Sequence, residues 1–146
     1  MARVSDILGQ KGGHVHAIDA DATVHDAIAR MVEHNVGALV VKSGEAFVGI
    51  FTERDHLRRV TLDDRPPRDT RVRDVMTPRV ICVTPDELIQ GCLNIMTQER
   101  IRHLPVVESG TVIGMISIGD LVKHLSQQHE VEIRYLTEYI TGIRPS

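Results

Sequence analysis

The sequence contains an internal duplication, and this repeat constrains the fold more than any other feature of the chain. From Val15 onward the two copies align without a gap at an offset of 65 residues, which pairs Gly49 with Gly114. The segment before it, Val4–Leu8, aligns with Val72–Met76 at an offset of 68 residues, so the first copy carries three extra residues within 9–14. Because solenoids need at least three units, two long copies predict one domain with two similar halves.

Each copy contains the same seven-residue pattern where a predicted strand is followed by a predicted helix. The stretches Gly49–Asp55 and Gly114–Asp120 have a glycine, two apolar residues, a hydroxyl residue (Thr52 or Ser117) and an aspartate three positions later. A hydroxyl residue followed by an acid at this spacing is a capping box, which bonds the free N–H groups of a helix start. The same groups also suit a nucleotide, because N–H groups and the helix dipole attract phosphate and an acid accepts ribose hydroxyls. The pattern alone leaves both interpretations open.

The hydrophobic period changes in the same order in both copies, which predicts a β-α-β-β-α unit. The first copy has expected strands at Val15–Ile18, Ala38–Val41 and Phe47–Phe51, and expected helices at Val24–Val32 and Arg54–Val60. The second copy has expected strands at Val80–Val83, Leu104–Val107 and Thr111–Ser117, and expected helices from Thr84 to Met96 and at Gly119–Gln128. A unit of about 55 residues hardly buries its own sheet. We therefore expect an α+β fold of two units packed sheet to sheet with pseudo-two-fold symmetry, plus a C-terminal helix.

The domain boundaries follow from the repeat and from turn-forming residues. We assign residues 1–60 to the first repeat, 61–71 to a linker rich in Asp, Pro and Arg, and 72–128 to the second repeat. Residues 129–146 form a C-terminal tail whose apolar positions suit an amphipathic helix, docked on the core or on a partner subunit.

Composition excludes several classes of protein. A net charge of −3, with only 3% aromatic residues and no Trp, argues against nucleic acid as a partner. No apolar run of about 18 residues and no signal-peptide pattern are found, so a cytoplasmic protein without a membrane partner is expected. Cys82 and Cys92 form no Cys-x-x-Cys motif and are expected to be buried free thiols in a reducing compartment.

The chain resembles a CBS-domain pair (a Bateman module) of the stand-alone bacterial type. The resemblance rests on the two Gly-x-x-Thr/Ser-x-x-Asp stretches, on Asp-Val-Met-Thr-Pro at Asp74–Pro78, and on His-Leu-Pro-Val-Val at His103–Val107. It covers nearly the whole chain, from Val4 to Leu125. The fold that it implies agrees with the β-α-β-β-α pattern read from periodicity.

The resemblance implies a regulatory, signal-transducing module. Such a module binds an adenosine ligand (AMP, ADP, ATP, S-adenosylmethionine or NAD) in clefts between the two repeats. It is expected to form a homodimer and to act in trans on a regulated protein that the sequence does not identify. The adenosine compound is then a sensed ligand and no catalytic cofactor is expected. The sequence contains no recognisable nucleophile motif, Walker loop or GxGxxG, so an enzyme is not expected either.

The resemblance also implies roles for individual residues. Asp55 and Asp120 match the aspartates that bind ribose hydroxyls, and Thr52 and Ser117 match hydroxyls near the ribose and phosphate. The remaining candidates are an adenine pocket of Ile81, Val83, Leu104, Pro105 and Ile116, with His16, Ile18 and Phe51 in the first repeat, and a phosphate-facing group of Arg54, Arg100, Arg102 and His103. Because Gly37 and Ala38 stand in the first copy where the second has Arg102 and His103, asymmetric use of the two clefts is predicted.

Two alternative functions are kept open. One is a structural module that dimerises without any ligand. The other is a metal site, built from His14 and His16 with His25 or His34 nearby. Retention of both aspartates favours the nucleotide-binding interpretation over the first alternative.

Overall fold

The computed structural model describes residues 2–127, and these residues form two compact units. The central unit is His14–Ile81. The terminal unit combines the residues up to Gly13 with those from Cys82 onward. The predicted C-terminal tail, residues 129–146, lies outside the described residues.

The described residues contain helices and two small β-sheets, which confirms the predicted α+β class. In chain order the elements are α1 (Val4–Lys11), β1 (Ala17–Asp19), α2 (Val24–His34), β2 (Ala38–Ser43), β3 (Ala46–Thr52), α3 (Glu53–Asp55) followed by a π-helix (His56–Thr61), α4 (Val72–Val75), α5 (Ile89–Glu99), β4 (His103–Glu108), β5 (Thr111–Ser117) and α6 (Ile118–Ser126). The predicted helix at 54–60 is therefore irregular, since it is mostly a π-helix.

The central unit is built on a three-stranded sheet. Strand β2 lies in the middle, parallel to β1 and antiparallel to β3. Helix α2 begins at Thr23, whose hydroxyl accepts a hydrogen bond from the Asp26 N–H, as expected of an N-cap. The helix buries Met31 against Leu39 and Phe51 of the sheet, which fixes β3 and the residues that follow it.

The terminal unit is built on the hairpin of β4 and β5. Ser109 and Gly110 both have positive φ (51° and 78°), which is the backbone of a tight turn between twisted antiparallel strands. Helices α1, α5 and α6 pack in the same unit. Its core includes Leu104, Ile116 and Leu121, all fully buried.

Helices α1 and α4 open the two sequence repeats, yet each packs in the unit that contains the other repeat's strands. Arg3, just before α1, forms a backbone bridge with Leu88, just before α5. Arg71, just before α4, forms the matching bridge with Thr23, just before α2. The division of the chain by packing therefore differs from the division by sequence repeat.

Two details predicted for the second copy were wrong. The strand expected at 80–83 is absent from the described structure, where only a single parallel bridge joins Val83 to Val106. The helix expected from Thr84 begins after Leu88 instead, and the Glu87 N–H bonds to the Thr84 carbonyl in a turn. Leu88 stays extended because its backbone is paired with Arg3, a contact between residues far apart in sequence.

The glycine that begins each seven-residue pattern has a close neighbour in both units, but the neighbours differ. A Cβ atom on Gly49 would lie 2.7 Å from the Thr77 carbonyl oxygen, so the backbone that follows α4 excludes a side chain there. A Cβ atom on Gly114 would lie 2.7 Å from Cδ2 of Leu8, the end of a side chain within α1.

Candidate functional site

Both seven-residue patterns form capping boxes at the start of a helix. Asp55 N donates to Thr52 Oγ1 (3.2 Å), and Thr52 N donates to Asp55 Oδ2 (3.0 Å). Asp120 N donates to Ser117 Oγ (3.1 Å), and Ser117 N donates to Asp120 Oδ2 (2.9 Å). The capping interpretation is confirmed in both units. It orients each aspartate side chain, whatever else that side chain binds.

In the central unit the aspartate is enclosed by its own chain. Thr77 Oγ1 donates to Asp55 Oδ1 at 2.9 Å, and the Thr52 hydroxyl lies 3.2 Å from Asp55 Oδ2. Asp55 is only 6% exposed. Because the side chain is nearly inaccessible and both carboxylate oxygens already accept internal hydrogen bonds, little room is left for a ligand hydroxyl.

In the terminal unit the aspartate is paired with a lysine. Lys11, the last residue of α1, places its Nζ 2.6 Å from Asp120 Oδ2 and also donates to the Met115 carbonyl at 2.8 Å. The Asp120 side chain is 21% exposed and that of Lys11 is 36% exposed. This aspartate is open to solvent and carries a charged, displaceable partner.

Two further basic residues of the terminal unit belong to the same region, His103 near the aspartate and Arg102 near His103. His103 is paired with Ser117 across the β4–β5 hairpin, and the Ile118 N–H donates to the Arg102 carbonyl at 2.9 Å. Burial lowers the pKa of His103 to about 4; the Asp120 carboxylate opposes this, and the Lys11 and Arg102 cations add to it. At neutral pH His103 is therefore an uncharged hydrogen-bonding group between a carboxylate and two cations. We call Lys11, Arg102, His103, Ser117 and Asp120 the terminal cluster.

The depressed pKa of His103 gives the protein an acid-sensitive stability. Between pH 6.5 and about 4 the unfolded chain binds a proton at this residue that the folded protein does not, so the free energy of unfolding falls as pH falls. We expect His103→Gln to remove this contribution, which is about 1–3 kcal/mol across the interval. Urea unfolding of both proteins from pH 7 to pH 4 measures it, and parallel pH profiles would contradict the assignment.

Some of the other predicted site residues lie in the cores of the two units, and others lie at the surface. Five apolar candidates belong to the two cores, namely Ile18 and Phe51 in the central unit and Val83, Leu104 and Ile116 in the terminal unit. Pro105 is also buried, whereas Ile81, Arg54, Arg100 and Arg102 are exposed. The His16 ring stacks on that of His34, with centroids 4.3 Å apart. The proposed ligand roles of these residues stay predictions.

Sequence reasoning missed Lys11 and the role of Thr77. Lys11 lies in the segment 9–14 that carries the three extra residues of the first copy, and that interruption of the repeat was the available signal. Thr77 belongs to the Asp-Val-Met-Thr-Pro motif, but nothing in the sequence connects it with Asp55, 22 residues away. Both contacts join the end of a repeat-opening helix to the aspartate of a different sequence repeat.

The two cysteines differ in burial. Cys92 is buried, and burial together with the nearby Glu87 carboxylate raises the pKa of its thiol to about 11. Cys82 is only half-buried, so the prediction of two buried thiols was wrong for this residue. Both cysteines are free thiols.

Two further features, a metal-ligand group and a membrane-spanning helix, are absent from the described residues. Between residues 2 and 127 no group of three or more His, Cys, Asp or Glu side chains is arranged to hold a metal ion. The same part of the chain contains no helix that is long and apolar enough to cross a membrane.

Comparison with known proteins shows the family. The CBS domain family model matches residues 4–60 and 72–127, and the chain belongs to the CBS domain family as a tandem pair. The CBS domain-containing protein CBSX3, mitochondrial, of Arabidopsis thaliana is 42% identical, over 95% of this chain and 72% of that protein. CBS-domain proteins are generally regulatory rather than catalytic.

Solved structures of CBS-domain proteins show the same fold. A protein with CBS domains from Burkholderia ambifaria is 41% identical, with a TM-score of 0.85 over 88% of this chain and 96% of that one. A CBS-domain protein from Agrobacterium tumefaciens is 34% identical, with a TM-score of 0.81 over 85% of this chain and 99% of that one. The predicted fold class, an α+β fold of tandem CBS repeats, is thus confirmed.

Proposed function

We propose that this protein is a sensor of adenosine nucleotides whose principal binding site is the terminal cluster. The observation that carries the proposal is the partly exposed Asp120 carboxylate, which a capping box orients and which pairs with the Lys11 ammonium group beside His103. A nucleotide brings hydroxyl donors and an anionic phosphate, and the cluster offers an acceptor, the Lys11 cation and, next to His103, the Arg102 cation. The chemistry of the two partners is complementary.

The ribose and the phosphate of the nucleotide each have a counterpart in the cluster. Asp120 is an acceptor for the ribose hydroxyls, and a charge-assisted hydrogen bond of this kind is about twice as strong as a neutral one. The hydroxyl of Ser117 and the first turn of α6 present donors and the positive end of a helix dipole to a phosphate. Lys11 and Arg102 add two permanent positive charges, and Arg102 is exposed. We propose AMP, ADP, ATP or NAD as the ligand class.

The corresponding group in the central unit is the weaker candidate. Asp55 is nearly inaccessible, and its carboxylate is already bonded to Thr52 and Thr77. At the positions of Arg102 and His103 this unit has Gly37 and Ala38, which supply no charge. Unequal use of the two sites is therefore part of the proposal, with the site at Asp120 filled first.

We propose that the ligand signal is passed to another protein, since CBS-domain proteins are generally regulatory rather than catalytic. A nucleotide shifts a conformational equilibrium only by the difference in its affinity for the two conformations. We propose that the ligand changes the conformation in which a homodimer of this protein contacts a regulated partner.

A thermal-shift screen of AMP, ADP, ATP, NAD, NADH and S-adenosylmethionine against the wild-type protein tests the proposal. A ligand at 100 times its dissociation constant adds about 2.7 kcal/mol to the free energy of unfolding. We expect a selective rise of several degrees in the melting temperature for at least one of the phosphate-bearing ligands. No shift with any of the six would contradict the proposal and favour a structural dimerisation module.

A further inference from the structure

Lys11 distinguishes the two units more sharply than any other residue near the aspartates. Helix α1 has eight residues and ends at Lys11, whereas its counterpart α4 has four and ends at Val75. The residue that contacts the aspartate is thus a cation, Lys11, in the terminal unit and a neutral hydroxyl, Thr77, in the central unit. The three-residue insertion that breaks the repeat accompanies this difference, because it lies within residues 9–14.

The backbone around Lys11 holds its ammonium group at the aspartate. Gly12 follows with φ of 88°, and its N–H bonds to the Leu8 carbonyl, which ends the helix at this residue. A Cβ atom on Gly13 would lie 3.3 Å from the Ile113 carbonyl oxygen, so the chain then passes close to β5. The lysine also donates to the Met115 carbonyl of the same strand. The Lys11 ammonium group is thus held by two acceptors, the Asp120 carboxylate and the Met115 carbonyl, and the side chain nevertheless remains partly exposed.

A ribose at Asp120 competes with this ion pair. The hydrogen bonds that Asp120 accepts from the described residues reach Oδ2, from the Ser117 N–H and from the Lys11 ammonium group. A ribose diol that donates to both carboxylate oxygens also reaches Oδ2, where it competes with the Lys11 ammonium group and weakens or displaces it. A displaced ammonium group loses a short ion pair and needs a new anionic partner to recover that stabilisation.

We propose that Lys11 selects phosphorylated ligands at this site by exchanging the Asp120 carboxylate for a ligand phosphate. This inference rests on the proposed function and adds a residue that discriminates nucleotide from nucleoside. Adenosine breaks the ion pair and has no phosphate to replace it, whereas AMP supplies a phosphate that the Lys11 ammonium group binds. Specificity thus comes from a penalty on the wrong ligand as well as from a contact with the right one.

Replacement of Lys11 by methionine tests the exchange, because the substitution should weaken the binding of AMP without weakening that of adenosine. Methionine keeps the length of the side chain and removes the charge. In Lys11→Met we expect adenosine to bind as tightly as in the wild type or more tightly, since no ion pair opposes it. AMP is expected to bind more weakly. The dissociation constant of adenosine divided by that of AMP, both measured by calorimetry, should fall by about tenfold or more.

Two matched variants separate this role from a general effect of charge or folding. Lys123→Met removes one positive charge from an exposed position on α6 and should leave the ratio unchanged. Lys11→Arg retains the cation and should keep most of the preference for AMP. If the wild type binds AMP and Lys11→Met keeps the wild-type ratio, the exchange is overturned and the proposed function stands. If the wild type binds neither ligand, both are overturned.

Discussion

Phe51→Ala is expected to lower the free energy of unfolding by about 3–5 kcal/mol, a large part of the stability of a protein of this size. Phe51 is fully buried at the end of β3, among Leu39, Val41 and Val60 of the central core. Truncation to alanine removes the buried ring and leaves a cavity that the surrounding strands cannot fill. Urea unfolding measures the change as a lower midpoint with an unchanged slope.

Phe47→Ala is the matched control for this substitution. Phe47 lies in the same strand and is only half-buried, so the same truncation should reduce stability by about 1 kcal/mol. Equal losses from the two variants would contradict the packing of the central core. The resemblance also assigned Phe51 to an adenine pocket, and its place in the core gives it a structural role that is independent of any ligand.

Sequence reasoning performs well where the governing interactions are local. Strands were expected at Leu104–Val107 and Thr111–Ser117 from two short apolar runs, and the structure has the β4–β5 hairpin there. The capping boxes follow from a hydroxyl and an acid three residues apart, because both partners lie within one helical turn. The repeat then extended each of these local features to the other copy.

The structural details that could not be predicted from the sequence depend on contacts between segments far apart in the chain. Leu88 carries a helix-start signal just before it, yet it stays extended because it pairs with Arg3. The contact between Lys11 and Asp120 spans 109 residues, and that between Thr77 and Asp55 spans 22. Such pairs depend on how the helices that open each repeat pack, and no local propensity encodes that packing.

Asp120→Asn is expected to weaken nucleotide binding by about 1–3 kcal/mol, or roughly 5- to 150-fold in the dissociation constant. The amide has nearly the shape of the carboxylate and retains one oxygen for the Ser117 N–H, so helix α6 keeps an acceptor at its start. The substitution removes the negative charge that strengthens hydrogen bonds from the ribose hydroxyls. It also removes the anionic partner of Lys11.

Asp55→Asn is the control for this loss. Asp55 belongs to the central unit and is bonded to Thr52 and Thr77, so its amide should leave binding at Asp120 within about twofold of the wild type. A melting curve of each variant shows that the protein is folded before any titration. If Asp55→Asn weakens binding more than Asp120→Asn does, the central unit is the principal site instead.

Calorimetric titration of AMP into the wild-type protein and into Asp120→Asn tests the proposed nucleotide site most directly. The terminal cluster predicts one tighter site in the wild type, and a dissociation constant that rises by roughly 5- to 150-fold in the variant. The same dissociation constant for both proteins, or no binding of AMP to the wild type, would contradict a nucleotide site at Asp120.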